Sequence, residues 1–154
     1  KHRLAAAAGR GGACRLIMSV PHLGPVNASA LAAIEDLQRF TNGRAFAAYL
    51  GLVPRQQSSG ESKRQGGITK HGSSALRRYL VLAAQTLLIR AERDRRMGEA
   101  PDRLRQWALD LAGRKHRNVA VTAIAARLAR IAWAVMHHQR PYLARPARLA
   151  VAAT

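Results

Sequence analysis

Two adjacent serines, Ser58 and Ser59, are the side chains in this sequence best suited to nucleophilic chemistry. They precede Gly60 in a segment rich in cations, in which Glu61 is the acid. The cations of the segment are Arg55, Lys63, Arg64, Lys70, Arg77 and Arg78. A serine hydroxyl can attack phosphorus, and positive side chains stabilise the charge that develops there. The segment therefore predicts attack on a DNA phosphodiester.

A non-catalytic interpretation of the same residues stays open. Ser-Ser-Gly is also typical of a turn, and no Asp or His lies close enough in sequence to identify itself as a general base. Attack by serine would then need metal-bound carboxylates or guanidinium groups from another domain. In the alternative, the segment only binds the phosphates of a nucleic acid.

The charge balance restricts the class of partner. The 154 residues carry 26 Lys and Arg against 8 Asp and Glu, a net charge of +18. Such a charge favours a polyanion, with DNA as the expected partner. A membrane partner is disfavoured, because the apolar run Tyr79–Ile89 is too short for the roughly 20 residues of a spanning helix. A cationic membrane-active helix is the weakest alternative. Cys14 is alone, which excludes a disulfide framework and makes a cytoplasmic location the default.

The elements that would position the serines are helical, and the predicted fold class is all-α with a long basic Ser/Gly-rich loop from Arg55 to Gly72. Apolar content of 48% and abundant alanine favour closely packed helices. Four helices are predicted in this part of the chain. The first covers Gly43–Leu50, the second begins after a cap at Ser73 or Ser74, the third covers Asp102–Ala112, and the last ends before Pro141. The apolar stripes that support the second and last of these are Leu76, Leu80, Ala83 and Leu87, and Val121, Ile124, Leu128, Ile131 and Val135.

A helix-hairpin-helix is predicted around Val20–Val26. Its turn contains the apolar Leu23 and then Gly24, with Pro25 at a first helical position that needs no N–H. In this motif the N–H groups at the start of the second helix face a DNA phosphate, and the glycine allows close approach. Leu23 and Gly24 are therefore candidate nucleic-acid-binding residues.

The remaining candidates are weaker. Gly66–Gly72 lacks the spacing of a nucleotide-binding loop, so Lys70 and His71 are predicted to contact a nucleic-acid backbone instead. The histidines and acids form no metal site by spacing. Trp107 and Trp133 are predicted to be core residues.

The ordered motifs resemble the C-terminal, serine-carrying domain of the IS-one-ten class of insertion-sequence transposases. The similarity covers about residues 15–140 and depends on the order of several motifs. They are Leu16–Pro25, Arg39-Phe40, Phe46–Arg55, Ser59-Gly60-Glu61, Ile68–Gly72 and Leu76-Arg77. The chain departs from the family pattern at two positions: His22 replaces the first glycine of the hairpin, and His71 replaces a usual arginine.

The resemblance implies an RNA-guided, oligomeric DNA recombinase. In such a protein an N-terminal DEDD domain holds Mg²⁺, and a serine forms a transient link to DNA. Ser59 matches the nucleophile best and Ser58 is the fallback. Arg55, Lys70 and Arg77 fall on recurrent basic positions, and Lys63, Arg64 and Arg78 complete the expected DNA contacts. No DEDD domain or cofactor is expected in these residues, so the chain alone should be inert.

These patterns divide the chain into three regions. Residues 1–14 are predicted to be a disordered or truncated N-terminal segment, residues 15–140 the transposase C-terminal helical domain, and residues 141–154 a loose tail. Two rival functions remain beside the recombinase domain. One is a non-catalytic helix-hairpin-helix protein that binds nucleic acid, and the other is an inactive transposase remnant.

Overall fold

A computed structural model describes residues 11–34, 37–59, 62–68 and 72–147 of the chain. Within these ranges, helix α1 covers residues 11–18. The elements that follow are α2 (Pro25–Ala32), a 3₁₀ turn (Leu37–Arg39), α3 (Gly43–Tyr49), β1 (Pro54–Ser59), β2 (Ser62–Ile68), α4 (Ser74–Arg96), α5 (Arg103–Arg114) and α6 (Arg117–His138). The predicted helical class is thus confirmed for the scaffold of the domain.

Helices α4 and α6 form the centre of the core. The predicted stripe of α4 is buried at Leu80, Ala83 and Leu87, while Leu76 is half-buried. On α6, the predicted face is buried except at Ile131, which is half-buried. Alanines alternate with these larger side chains on both helices, and small residues allow helix axes to approach closely. The sequence periodicity therefore identified the main packing interface.

Polar side chains cap the start of three helices, α3, α4 and α5. Asn42, Ser73 and Asp102 each accept a hydrogen bond from the backbone N–H three residues later, at 2.9, 3.3 and 2.8 Å. These oxygens satisfy N–H groups that have no partner inside a helix. Gly43 lies at the close contact between α3 and α6, where an added Cβ would stand 3.2 Å from backbone and side-chain atoms of Arg130.

The predicted loop between α3 and α4 is wrong in its conformation. Strands β1 and β2 pair antiparallel, with Ser59 opposite Ser62 and Ser58 opposite Lys63. Apolar and polar residues do not alternate in this segment, so it lacks the sequence pattern that predicts a strand with one buried face. Backbone hydrogen bonding can form such a ladder without that pattern.

Residues 141–147 begin the predicted loose tail, but they are hydrogen-bonded to the domain. The Tyr142 N–H donates to Ser19 Oγ at 2.7 Å, and the Arg103 N–H donates to the Arg145 carbonyl at 2.9 Å. Local sequence patterns cannot predict these bonds, because the bonds join positions far apart in the chain. Residues 148–154 lie outside the described residues, and for them the tail stays a prediction.

Helix α6 is long and apolar enough to cross a membrane by length and composition, with a mean hydropathy of 1.6. Half of that window is buried in the domain, against α3, α4 and α5. A buried core helix passes the same test as a membrane span. The composition of α6 is therefore explained by its place in the core.

Candidate nucleic-acid interface

The two candidate nucleophiles lie at the end of β1. Their backbone register places Ser58 across from Lys63, and the preceding Gln57 across from Arg64. The two predicted basic residues of β2 are thus on the strand paired with the serines. Gly60 and Glu61, which join the strands, lie outside the described residues.

The predicted basic positions that flank these pairs have a less regular setting. Arg55 lies where the strand register shifts, between the pairs made by Pro54 and Gln56. Such a bulge bends a strand locally and is often found beside functional sites. Lys70 and His71 lie outside the described residues, so their predicted contacts with a nucleic-acid backbone stay predictions.

The hairpin segment rejoins the helical scaffold at Gly72, which has a φ of 76°. A Cβ at this position would overlap the carbonyl oxygen of Tyr49, at the end of α3. Both the left-handed backbone and the close approach require glycine here. Ser73 then begins α4. The base of the hairpin is therefore held between the end of α3 and the start of α4.

Arg77 and Arg78 were predicted to contact nucleic acid, and the structure gives them different surroundings. Arg77 is half-buried and its Nη1 donates to the Leu50 carbonyl oxygen at 3.3 Å. Leu50 caps α3, so this bond connects α4 to α3 beneath the hairpin. Arg78 is exposed. Arg78 is thus the more accessible of the two cations.

An open cleft of about 510 Å³ adjoins the base of the hairpin. Ser73, Tyr49 and Arg39 contribute to its lining, together with apolar residues of α2 and α4. The Arg39 guanidinium lies 4.9 Å from the ring centroid of Phe40 and 5.0 Å from that of Tyr49. Contacts of this kind hold a cation in place. Arg39 is thus a further candidate binding residue, and its place next to Phe40 is visible in the sequence.

Helices α1 and α2 meet at the predicted hairpin turn, residues 19–24. Leu23 is buried in the core and its N–H donates to the Val20 carbonyl at 3.2 Å. The side chain of Leu23 therefore anchors the turn. Gly24 has an ordinary φ of −79°, and an added Cβ would meet nothing within 4 Å. Its backbone faces open space, and its own conformation does not require glycine.

His22 has the unusual backbone of this turn, with a φ of 65°. A non-glycine residue in the left-handed region is strained, by about 1–2 kcal/mol. The resemblance described above implies a glycine at this position. Burial lowers the pKa of the His22 imidazole below its ordinary value of 6.5, and the neighbouring Arg105 and Arg90 lower it further. Its Nε2 is buried without a hydrogen-bond partner among the described residues.

We expect His22→Gly to stabilise the domain more at about pH 5 than at about pH 7.5. A lowered folded-state pKa means that the unfolded chain takes up the proton first, so His22 costs stability as the pH falls below 6.5. Glycine removes that penalty and relieves the positive φ. Thermal unfolding across this pH range measures the effect, with exposed His138→Gln as control. An unchanged pH dependence in His22→Gly would refute the assignment.

The described residues contain no group of three or more His, Cys, Asp or Glu that could hold a metal ion. His137 stacks on Trp133, with ring centroids 4.5 Å apart, and His138 meets His137 edge-on. Trp133 is buried as predicted, whereas Trp107 is half-buried beneath the Arg127 guanidinium, 4.2 Å from its ring. The resemblance places Mg²⁺ in a separate DEDD domain, and no cluster among the described residues would hold it.

Comparison with known proteins adds the context of this arrangement. A family model described as the transposase IS116/IS110/IS902 family matches residues 14–98. A protein of Pseudomonas aeruginosa named "Probable family 20 transposase" is 38% identical over 127 residues, which are 82% of this chain and 36% of that protein. The transposase for insertion sequence element IS1328 of Yersinia enterocolitica is 38% identical over 120 residues, 77% of this chain and 34% of that protein.

A Coxiella burnetii transposase for an insertion sequence element is 35% identical over 130 residues, which are 84% of this chain and 34% of that protein. The chain thus spans about a third of the length of the curated relatives it matches. The family match covers more than half of the chain and includes α2, α3, the hairpin and α4. The chain belongs to the IS116/IS110/IS902 family of transposases.

Proposed function

We propose that this chain is the DNA-binding and strand-exchange domain of an insertion-sequence transposase, with Ser59 as the nucleophile. The observation that carries the proposal is the place of Ser59, at the end of a strand paired with a basic strand. Family membership supports a reaction on DNA, and the net charge of +18 supports binding to a polyanion. Ser58 is one residue away and is the second candidate.

The proposed step is a transesterification. Ser59 Oγ attacks the phosphorus, a new P–Oγ ester forms, and the bond from phosphorus to the leaving DNA oxygen breaks. The serine proton ends on that oxygen, which leaves as a DNA hydroxyl. Attack by the hydroxyl of a second strand reverses the chemistry, joins the new strands and restores serine. The ester conserves the energy of the phosphodiester, so rejoining needs no external energy source.

The basic side chains have two proposed roles in this step. Lys63 and Arg64, on the paired strand, neutralise the developing charge on the phosphate oxygens. Arg55, Lys70, His71 and Arg78 contact the DNA backbone on either side. Arg77 acts differently, since its bond to Leu50 makes it a positioning residue that holds α4 beneath the hairpin.

Other components are proposed to come from outside the described residues. An acidic DEDD domain would bring Mg²⁺ and the general acid or base, because the described residues contain no carboxylate cluster. A guide RNA and assembly into a homo-oligomer belong to the same proposal. The chain spans about a third of the matched relatives' length, which leaves room for such a domain in the longer proteins.

The turn between α1 and α2 is proposed as a helix-hairpin-helix that binds a DNA phosphate. The first helical hydrogen bond of α2 runs from the Ala28 N–H to the Gly24 carbonyl, at 2.9 Å. The N–H groups of Val26 and Asn27, in the first turn of α2, therefore have no partner within the helix and can face an anion, whereas Pro25 has no N–H. The open space around Gly24 allows a backbone phosphate to approach.

We expect Gly24→Ala to weaken duplex DNA binding about five- to tenfold while changing the unfolding free energy by less than about 1 kcal/mol. The methyl group meets no atom of the protein, so a loss of affinity reports contact with the ligand. Fluorescence anisotropy measures affinity, and thermal unfolding measures stability. Gly113→Ala, also with open space around its Cβ, is the control. Equal affinities for the two variants would rule out a phosphate at Gly24.

The experiment that tests the catalytic proposal is trapping of a covalent protein–DNA adduct. A full-length transposase that carries this domain is incubated with labelled element-end DNA and Mg²⁺, then denatured. Mass spectrometry should assign the phosphoester to Ser59. Stable DNA binding with no adduct, although strand exchange proceeds, would favour the rival function of a domain that only binds nucleic acid.

A further inference from the structure

A second basic surface lies away from the hairpin, in an open groove of about 900 Å³ between α5, α6 and the segment after α6. Its rim carries four arginines, Arg103, Arg127, Arg140 and Arg145. None of the residues that line it is acidic, and none of the four arginines forms a salt bridge with an acid in the described part of the chain. The nearby Asp102 carboxylate caps α5 by accepting the Arg105 N–H, at 2.8 Å, and it offsets part of this charge. With four arginines against one neighbouring carboxylate, the groove presents a net positive charge.

The floor of the groove is apolar, formed by side chains that include Leu104, Ile131 and Val135. Tyr142 adds an aromatic ring to the lining, and Leu143 is 76% exposed beside it. Duplex DNA offers its charged backbone to a protein, whereas a single strand also offers the faces of its bases. Positive rims with apolar or aromatic floors are the arrangement that binds single strands.

One rim cation is held in place before any ligand binds. The Arg127 guanidinium lies 4.2 Å from the ring centroid of Trp107, across the contact of α5 and α6. Burial and the neighbouring Arg130 and Arg103 lower the pKa of Arg127, although Tyr142 opposes this. A fixed, partly desolvated cation loses little freedom on meeting a phosphate.

The segment after α6 is also fixed to the domain. The Tyr142 N–H is bonded to Ser19 Oγ, and the Arg145 carbonyl to the Arg103 N–H. These bonds involve the backbone, so they hold Arg140, Tyr142 and Arg145 along one side of the groove and leave their side chains available. The site is thus built from three elements and does not depend on a single helix end.

We infer that this groove binds a segment of single-stranded DNA, with phosphates on the arginine rim and bases against the apolar floor. DNA is favoured over RNA because the floor side chains Leu104, Ile131 and Val135 cannot hydrogen-bond a 2′-hydroxyl, which RNA-binding sites use for discrimination. An acidic peptide fits the rim, but it supplies no flat rings to stack on Tyr142. The binding site is independent of Ser59 chemistry.

The test compares Arg140→Gln/Arg145→Gln with Arg93→Gln/Arg96→Gln, an exposed pair at the end of α4 that loses the same charge. The ligand is oligothymidine of about 15 nucleotides, and binding is measured against salt concentration. The groove pair should lower the slope of log K against log salt by about 1.4 and the affinity about 25-fold at about 0.1 M salt. The α4 pair should lose less than about threefold.

A second pair of variants tests the apolar part. Tyr142→Ala should weaken oligothymidine binding about five- to hundredfold, and Tyr142→Phe, which keeps the ring, should bind more tightly than Tyr142→Ala. The backbone bond of Tyr142 to Ser19 is retained in both. Unchanged thermal unfolding shows that each variant is folded, and Ser59→Ala should leave every one of these affinities in place.

Four results would overturn the inference. Equal losses for the two arginine pairs would mean that net charge alone governs binding. If Arg140→Gln/Arg145→Gln lost more affinity for oligouridine than for oligothymidine, the groove would be assigned to RNA. Displacement of oligothymidine by oligoglutamate at the same charge concentration would assign it to an acidic peptide. Tighter DNA binding after removal of residues 148–154 would show that the chain's own end occupies the groove.

Discussion

Ser59→Ala, placed in a full-length transposase that carries this domain, should abolish strand exchange, with a fall of about a thousandfold or more. Removal of a nucleophile costs orders of magnitude because the remaining groups cannot supply a covalent intermediate. DNA affinity should change less than about twofold, since the substitution removes no cation. Excision of the insertion element, measured by quantitative amplification of the rejoined donor, reports the first quantity. Anisotropy reports the second.

The hairpin supplies two matched controls for this substitution. Ser62 pairs with Ser59 across the strands, and Ser58 precedes it. Ser62→Ala and Ser58→Ala should retain most of the activity, because neither removes the proposed nucleophile. Normal excision by Ser59→Ala would end the assignment of Ser59, and a selective loss in Ser58→Ala would transfer the role to that serine. Loss in all three variants would indicate damage to the hairpin.

Gly72→Ala should destabilise the domain by about 2–4 kcal/mol and lower its Tm by about 5–15 °C. The added Cβ must displace the Tyr49 carbonyl at the end of α3, and the φ of 76° is unfavourable for alanine in any case. Denaturant unfolding measures the free energy. Because Gly72 joins the hairpin to α4, DNA binding should also weaken.

Two other glycines separate the sources of this cost. Gly98 has a φ of 77° with nothing within 4 Å of an added Cβ, so Gly98→Ala should show only the backbone penalty, about 1 kcal/mol. Gly113 lies in α5 with open space and no positive φ, so Gly113→Ala should be neutral or stabilising. If Gly72→Ala costs no more than Gly98→Ala, the close approach to Tyr49 is not a constraint on the fold.

The scaffold was largely predictable, because long helices carry their evidence locally. Leu80 and Leu87 are buried on α4 as their spacing predicts, and Ser73 caps the same helix. On α3, the sequence leaves the exposure of Tyr49 open. This side chain is 39% exposed and contacts Phe40 and Arg39. Periodicity could not decide this, since the outcome depends on the 3₁₀ turn that precedes the helix.

The residue types of the candidate site can be read from the sequence, but the geometry of the site cannot. The serines and their surrounding cations are evident in sequence, but the pairing of Ser58 with Lys63 is a property of the strand register. Arg77 was grouped with the DNA contacts, yet its bond to Leu50 joins positions 27 residues apart in the chain. The groove beside α6 depends on backbone hydrogen bonds of residues 142 and 145, and no local sequence pattern predicts these bonds.

By itself the sequence determined the helical scaffold, the net charge of +18 and the place of the two serines among cations along the chain, because helix periodicity, charge and residue order are local or additive properties. Only the tertiary structure decided which cations lie free at the surface and which hold the fold together. It also decided that the serines end a strand and that Gly72 rests on Tyr49. These features depend on atoms brought together from distant parts of the chain, where packing and hydrogen-bond geometry choose among side chains of equal charge.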